Sequence, residues 1–316
     1  MPRRRHDAAQ DPVAPPGPSV IDLHTHTLRS DGVLEPAALV ADVAAAGVRL
    51  LAITDHDDLS AYRELTDEDA QPLPAGLVLL PGVEINCLTA GVPELWESEV
   101  HVLGLGVDPA DESLEATLAA QRNQRRIRFT RTLERLRELG LSVDDVAATL
   151  DPAQTASLGR PTVARLLRAK GHVTSVEDGF ARLLGRGRPA YVPREGIGPI
   201  EAIAVIRAAG GLPVLAHFSE ARERGAVVRE LRDAGLGGLE VYYRTFDRAT
   251  VAEVGALAAE LDLVPTGGTD YHGDTGPYAA AHAELWVPPE VGDRLLAVLD
   301  ASAPPIRNRT GSPNAR

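Results

Sequence analysis

The sequence predicts an α/β fold, a barrel of parallel strands with helices outside it and a small helical insert. Three observations carry this. Short apolar runs of strand length alternate with amphipathic segments towards both ends of the 316-residue chain. Histidines and carboxylates recur where those apolar runs end. Between Asp111 and Glu195 the alternation stops and helical periodicity takes its place.

In chain order, residues 1–19 are rich in Pro, Asp and Ala, lack periodicity and are expected to form a disordered tail. Val20-Ile21-Asp22-Leu23 is the first strand and runs into His24-Thr25-His26. A helix over 36–46 ends at Gly47. Leu50-Leu51-Ala52-Ile53 then enters Thr54-Asp55-His56-Asp57. A strand over 77–80 leads to Pro81-Gly82-Val83-Glu84, and Val100-His101-Val102-Leu103 is the fourth. Residues 112–139 carry helical periodicity through Leu114, Leu118, Ile127, Leu133 and Leu136, and end at Gly140. Shorter helices are expected near 144–150, 161–170 and 176–184, and the next strand signal is Ala190-Tyr191-Val192. Alternation resumes with a helix over 199–209, a strand over 213–216 that reaches His217, and a helix near 222–234. A strand over 238–242 and a helix over 249–261 follow. Leu263-Val264-Pro265 enters Gly267-Gly268-Thr269-Asp270, and a strand near 283–287 and a helix near 290–299 close the fold. Seven strand–helix units suit a closed barrel better than an open sheet. The expected organisation is a discontinuous barrel over 20–110 and 196–302, a helical insert over 111–195 serving as a substrate lid, and a tail over 303–316.

Composition removes several function classes. No apolar run reaches the roughly 20 residues of a membrane-spanning helix. Arg3-Arg4-Arg5 is followed by Asp and Pro rather than an apolar stretch, so the start does not read as a secretory signal. The single Cys87 excludes an internal disulfide framework and fits a reducing, cytoplasmic compartment. A net charge of −13 argues against broad nucleic-acid binding, and no stable nucleic-acid complex is expected. That charge is uneven. The segment 111–195 holds 15 basic against 11 acidic residues, within a strongly acidic remainder. Such a division suggests cations bound in the body and an anionic ligand met by the insert. Nothing in the sequence defines the oligomeric state.

Six of the nine histidines carry the functional signal. His24, His26, His56 and His217 fall at or just beyond strand ends, His101 lies within a strand, and His272 follows Asp270. Active sites of α/β barrels are assembled at the C-terminal ends of strands. Residues i and i+2 of a strand share a face, so His24 and His26 can face one ion, and Asp270 and His272 repeat the spacing. Imidazole with carboxylate suits Zn²⁺, Mn²⁺ or Fe²⁺. One ion takes three or four protein ligands, and six histidines plus Asp31, Glu84 and Asp270 exceed that. Two or three ions sharing a bridging carboxylate use them economically. His172 and His282 read as surface or core residues.

Taken in order, the segments Asp22-Leu23-His24-Thr25-His26, Ser30-Asp31-Gly32, Ala52-Ile53-Thr54-Asp55-His56-Asp57, Gly82-Val83-Glu84-Ile85, His101-Val102-Leu103-Gly104, Leu215-Ala216-His217 and Gly268-Thr269-Asp270-Tyr271-His272-Gly273 resemble the PHP (polymerase and histidinol phosphatase) family. The resemblance implies a distorted seven-stranded (β/α) barrel and a phosphoesterase with three divalent ions. By resemblance, His24, His26, Glu84 and Asp270 hold the first ion. Glu84 bridges to a second, also held by His101 and His217. Asp31, His56 and His272 hold the third. The expected nucleophile is a hydroxide bridging the ions at Glu84, attacking phosphorus in line. His217, Asp55 and Asp57 are weak candidates for the general acid.

The helical insert resembles the branch of bacterial nucleotide phosphatases that act on AMP or nucleoside 3′,5′-bisphosphates, some of which trim short RNA from its 5′ end. Arg122, Arg125, Arg126 and Arg128 share one helix. Gly159-Arg160-Pro161-Thr162-Val163-Ala164 is similar to a Gly-Arg-Pro-His-x-Ala segment of that branch. Arginine forks grip phosphate bidentately, so Arg160, Arg126 and Arg125 are the expected contacts to a small phosphorylated substrate. Thr162 stands where the branch has His, and Phe218 follows His217 where Pro is usual. Other readings stay open: a histidinol-phosphate, sugar-phosphate or cyclic-phosphate phosphoesterase of the same family, or a non-catalytic regulatory or nucleic-acid-binding module. An amidohydrolase is disfavoured because Lys170, the one lysine, lies on an insert helix and not at a strand end.

Overall fold

The computed structural model describes residues 19–89, 99–150, 159–273 and 276–302. Apart from Ser19, both expected tails lie outside the described residues. Seven strands form one sheet in sequence order: β1 (Ile21–Asp22), β2 (Leu50–Ile53), β3 (Val78–Leu88), β4 (Glu99–Leu105), β5 (Leu212–Leu215), β6 (Gly238–Tyr243) and β7 (Val264–Gly268). Closure comes from the chain just after β1. Leu23 N donates to Gly267 O at 3.1 Å, and Asp270 N donates to His24 O at 2.7 Å. The sheet is thereby nearly closed as a barrel. Gly268 is needed for the approach, because a Cβ there would lie 2.4 Å from His24 Cβ.

One expectation is corrected at β4, which runs antiparallel to both neighbours while the other pairs are parallel. Ten residues separate Leu88 from Glu99, too few for the crossover that parallel pairing requires. The reversal matters for the site. The start of β4, and not its end, reaches the mouth of the barrel, with His101 opposite Asn86 of β3. Period-two alternation does the rest. Val100 and Val102 pack outward with Val83, Ile85 and Cys87, whereas Leu103 and Leu105 fill the interior with Ala52 and Val214. His101 shares the inward face of β4, and Glu84 that of β3.

The helices around the sheet are α1 (Pro36–Ala45), α2 (Ser60–Thr66), α3 (Glu112–Glu138), α4 (Asp144–Ala147), α5 (Arg160–Ala169) and α6 (Val176–Gly179), then α7 (Pro199–Ala208), α8 (Gly225–Asp233), α9 (Arg248–Glu260), α10 (Tyr278–Ala283) and α11 (Pro289–Ser302). A π-helical turn over Phe180–Leu184 extends α6. Helix α2 has no counterpart in the sequence reading. Two expected strands are absent. Val192 is loop between Pro189 and Pro193, its carbonyl taken by Arg128 Nε at 2.9 Å. The expected strand at 283–287 is instead the end of α10 and a coil. Its Leu285 and Val287 pack into the barrel core with α11, while the chain just after β1 already hydrogen-bonds to the end of β7. No described helix is long and apolar enough to cross a membrane.

Helix α3 belongs to two cores. Leu114 and Leu118 pack with the barrel, while Phe129, Leu133 and Leu136 pack with α5 and the π-helical turn. Between these stretches α3 grips the loop after β2. Arg125 makes a buried ion pair with Asp57 through Nε and Nη2, and Nη2 also donates to Asn86 Oδ1 at 3.2 Å. Arg122 Nη1 donates to the Asp57 carbonyl at 2.7 Å. Asp57 itself has φ +54°, a left-handed conformation that needs such support. Removing one partner of a buried pair strands the other charge. Arg125→Ala is therefore expected to cost about 3–5 kcal/mol in urea unfolding, and the exposed Arg126→Ala less than about 0.5 kcal/mol. Equal, small effects would show that the pair does not hold the loop.

Candidate metal site

Strand ends bring the expected residues together at the mouth of the barrel. His24 and His26 follow β1, Asp31 lies on the turn beyond them, and His56 follows β2. Glu84 sits inside β3 and His101 inside β4, while His217 follows β5 and Asp270 and His272 follow β7. Two of these residues, His217 at φ +33° and Asp270 at φ +49°, occupy the left-handed region, a cost that the surrounding packing sustains.

Three overlapping groups of donors result, each with its atoms close enough to share an ion: His24, His26, Glu84 and Asp270; Glu84, His101 and His217; and His26, Asp31, His56 and His272. In the first, His24 Nε2 lies 3.4 Å from Glu84 Oε2 and 3.2 Å from Asp270 Oδ1, and His26 Nε2 is 3.2 Å from each of those oxygens. In the second, Glu84 Oε1 is 2.7 Å from His101 Nδ1 and 3.2 Å from His217 Nε2. In the third, Asp31 Oδ1 is 3.1 Å from His272 Nε2, and Asp31 Oδ2 is 3.7 Å from His56 Nε2. Glu84 thus turns one oxygen to the first group and the other to the second.

Among the described residues, six buried atoms of these groups have no hydrogen-bond partner: His24 Nε2, His26 Nε2, Asp31 Oδ1, His56 Nδ1, Glu84 Oε2 and Asp270 Oδ1. Orphaned buried donors and acceptors are costly, and these all converge. Their spacing fits cations. An ion 2.0–2.2 Å from each ligand sets neighbouring ligands about 3.0–3.5 Å apart. The opposite ring nitrogens are held from behind, as ligating histidines require. His24 Nδ1 is 3.0 Å from Glu240 Oε1, His26 Nδ1 is 3.3 Å from Ser30 Oγ, and His272 Nδ1 is 3.0 Å from the Asp270 carbonyl. The Ser30 contact leaves His26 facing the first group, whereas its Nδ1 reaches Asp31 only at 3.8 Å.

Charge follows the same logic. Burial alone would raise the Glu84 carboxyl, but His56, His101 and His24 hold it well below the usual carboxylate range. Burial likewise opposes ionisation of Asp31 and Asp270, and the neighbouring imidazoles again prevail. Burial would lower His26, yet Asp270 and Glu84 lift it to about 10, and carboxylates similarly raise His24 and His217. At His56 burial wins and the pKa falls well below the ordinary value. The carboxylates are therefore ionised and ready for cations.

Several expectations change. Asp55 is fully buried and accepts bonds from Thr27 N, Thr27 Oγ1 and Ser30 Oγ. It shapes the turn that carries Asp31 and has no route to a substrate as an acid. Asp57 is fully buried and gives its Oδ2 to Arg125. His217 turns Nε2 into the second group, the orientation of a ligand and not of an acid at a leaving group. Arg126 is exposed and donates to Asn123 Oδ1 on its own helix at 3.0 Å. Arg160 opens α5 with its guanidinium 5.6 Å from the Phe180 ring. Lys170 pairs with Asp145 at 2.8 Å on the insert and cannot bridge ions.

Sequence reasoning missed Glu240 and Tyr243. Glu240 is completely buried, orients His24, and accepts from His217 N at 2.6 Å. A lone carboxylate in the apolar run Gly238-Leu239-Glu240-Val241 was the available signal. Tyr243 donates to Asp270 Oδ2 at 2.8 Å, and its pKa is pushed far up by burial and by Asp270.

No protein-family model matches the chain. The 5′-3′ exoribonuclease Rnm of Escherichia coli is 32% identical over 278 residues, covering 85% of this chain and 90% of the relative. The 3′,5′-nucleoside bisphosphate phosphatase of Chromobacterium violaceum is 30% identical over 264 residues, 80% of this chain and 87% of that protein. Among solved structures, a metal-dependent phosphoesterase from Bifidobacterium adolescentis superposes with a TM-score of 0.73 at 31% identity, covering 90% of this chain and 98% of the other.

The raised and lowered groups make metal-free stability depend on pH. Asp31, Glu84 and Asp270 contribute above about pH 4 and cease to as pH falls through their depressed values. His24, His26 and His217 contribute fully below about pH 6.5, and this is lost as pH rises through their raised values, about 10 for His26. His56 works in the opposite sense but is outnumbered. The metal-free protein should be most stable between about pH 4.5 and 6.5 and weaken towards pH 10. Saturating Zn²⁺ or Mn²⁺ should abolish that weakening, since the ion replaces the protons. Urea midpoints with and without chelator measure this, and identical profiles would contradict it.

Proposed function

The chain belongs to the PHP family of metal-dependent phosphoesterases, and from that premise we propose that its substrate is a phosphomonoester of a nucleotide: a nucleoside 3′,5′-bisphosphate, AMP, or the 5′-phosphorylated end of a short RNA. The enzyme is a hydrolase of phosphate esters that depends on divalent metal. Supporting the nucleotide reading are the exoribonuclease and the bisphosphate phosphatase, which each share 30% or more identity with it over most of its length. A second support is the arginine-rich insert beside an acidic barrel. A cytoplasmic location suits such substrates and the single buried thiol of Cys87.

Three ions, of Mn²⁺, Zn²⁺ or Fe²⁺, account best for the donors, and the observation that carries this is the set of six orphaned, converging atoms. His24, His26, Glu84 and Asp270 would hold one, Glu84, His101 and His217 a second, and Asp31, His56 and His272 a third. When bound, such ions supply an activated water and neutralise charge on the phosphoryl oxygens. The chain's own residues do the rest. Glu84 fixes the spacing of two of the groups, while Glu240 and Ser30 keep His24 and His26 in the tautomers that present Nε2. Tyr243 holds the second oxygen of Asp270 so that the first faces inward. Arg160 is the proposed contact for a second, non-reacting phosphate.

A phosphate-release panel of AMP, nucleoside 3′,5′-bisphosphates, short 5′-phosphorylated RNA, histidinol phosphate and sugar phosphates with Mn²⁺ tests the reading. Nucleotides should be the best substrates. His26→Ala should lower turnover by about 100-fold or more, and Arg160→Ala should chiefly raise KM by about 10-fold. Absence of Mn²⁺- or Zn²⁺-dependent release from the nucleotides would sink the proposal.

A further inference from the structure

A cleft of about 410 Å³ opens beside the cluster, bounded by His217, Ser219, Tyr243, Thr245, Phe246 and Asp247. None of its lining residues is Arg or Lys. It is therefore poorly suited to a phosphate, which calls for such cations. The start of α9 offers no substitute, because Asp247 already caps that helix by accepting from Thr250 N at 2.8 Å, so its own carboxylate answers the helix dipole.

What the cleft does offer is aromatic surface and hydroxyls. The Phe246 ring is half-buried, packed on the barrel core on one side and lining the cleft. Tyr243 meets it edge-on, with ring centroids 5.1 Å apart and planes at 65°. Because its hydroxyl is bonded to Asp270, Tyr243 is fixed as a wall between cleft and cluster. His217 belongs to both places: its Nε2 faces Glu84, and its ring lies 5.6 Å from Tyr243. The cleft therefore lies within reach of the alcohol part of an ester whose phosphoryl group sits at the cluster. The volume lies within the range of small-molecule sites.

We infer that this cleft seats the nucleoside of the substrate, with the base against Phe246 and the sugar hydroxyls towards Ser219, Thr245 and Asp247. The inference rests on the nucleotide reading above. It also assigns the two ends of a bisphosphate differently. The cleft takes the uncharged moiety, and a second phosphate finds no Arg or Lys among its described lining residues and is left to the insert.

The test compares kcat/KM for adenosine 3′,5′-bisphosphate and for ribose 5-phosphate in the Mn²⁺-loaded wild type, Phe246→Leu, Phe246→Ala and Phe246→Tyr. Leucine keeps apolar volume for the core while removing the aromatic face. The preference for the nucleotide over the sugar phosphate should fall about 10-fold or more in Phe246→Leu and Phe246→Ala, mostly through KM, and return in Phe246→Tyr. Metal content should match the wild type throughout. An unchanged preference in Phe246→Leu, or equal losses on both substrates, overturns the cleft assignment and leaves the nucleotide reading standing. A wild type without preference for the nucleotide overturns the nucleotide reading itself, and this inference with it.

Discussion

The Glu84 carboxylate is the constraint on which the rest of the site depends. It is buried at 1% exposure, and each of its oxygens faces a different set of imidazoles. A lone carboxylate in such a place would be protonated or expelled. Five histidines prevent this by surrounding it, and their crowding is itself tolerable only because anions, and in the loaded enzyme cations, alternate through the cluster. Barrel closure at Gly268 and His24, the reversed strand β4, and the strained backbone at Asp270 and His217 all bring donors to this one group.

Much of this was legible in the sequence because it is local. His24 and His26, or Asp270 and His272, share a face by strand periodicity alone, and apolar runs of strand length mark where each donor is carried. The ordered motifs then grouped the nine residues. What the sequence did not disclose is non-local. The reversal of β4 is a matter of connection length and pairing. The commitment of Arg125 to Asp57 depends on helix α3 lying across the loop after β2, a packing that no residue pattern along α3 specifies. Glu240 stands in an otherwise apolar strand and reads as an anomaly until His24, 216 residues away in sequence, is placed against it. The apolar residues at 283–287 carry the composition of a strand, but the chain after β1 already takes the hydrogen bonds offered at the end of β7.

The insert and the barrel also divide the chemistry in a way that bulk charge only hinted at. The basic surplus of the insert is partly internal, because Arg122 and Arg125 are spent in holding the loop that carries His56. Positioning of the loop after β2 is thus one task of the helical segment, separate from the phosphate contact proposed for Arg160. The cleft beside His217 and Tyr243 has no Arg or Lys among its described lining residues and offers aromatic faces and hydroxyls instead.

We propose that Glu84 would hold two ions, one at each of its oxygens, since each oxygen faces a different donor group. Low-temperature electron paramagnetic resonance of the chelator-treated protein titrated with Mn²⁺ tests it directly. An exchange-coupled manganese signal is expected at full loading and should disappear in Glu84→Ala. Only the six-line spectrum of isolated Mn²⁺, in the fully loaded wild type, would contradict it.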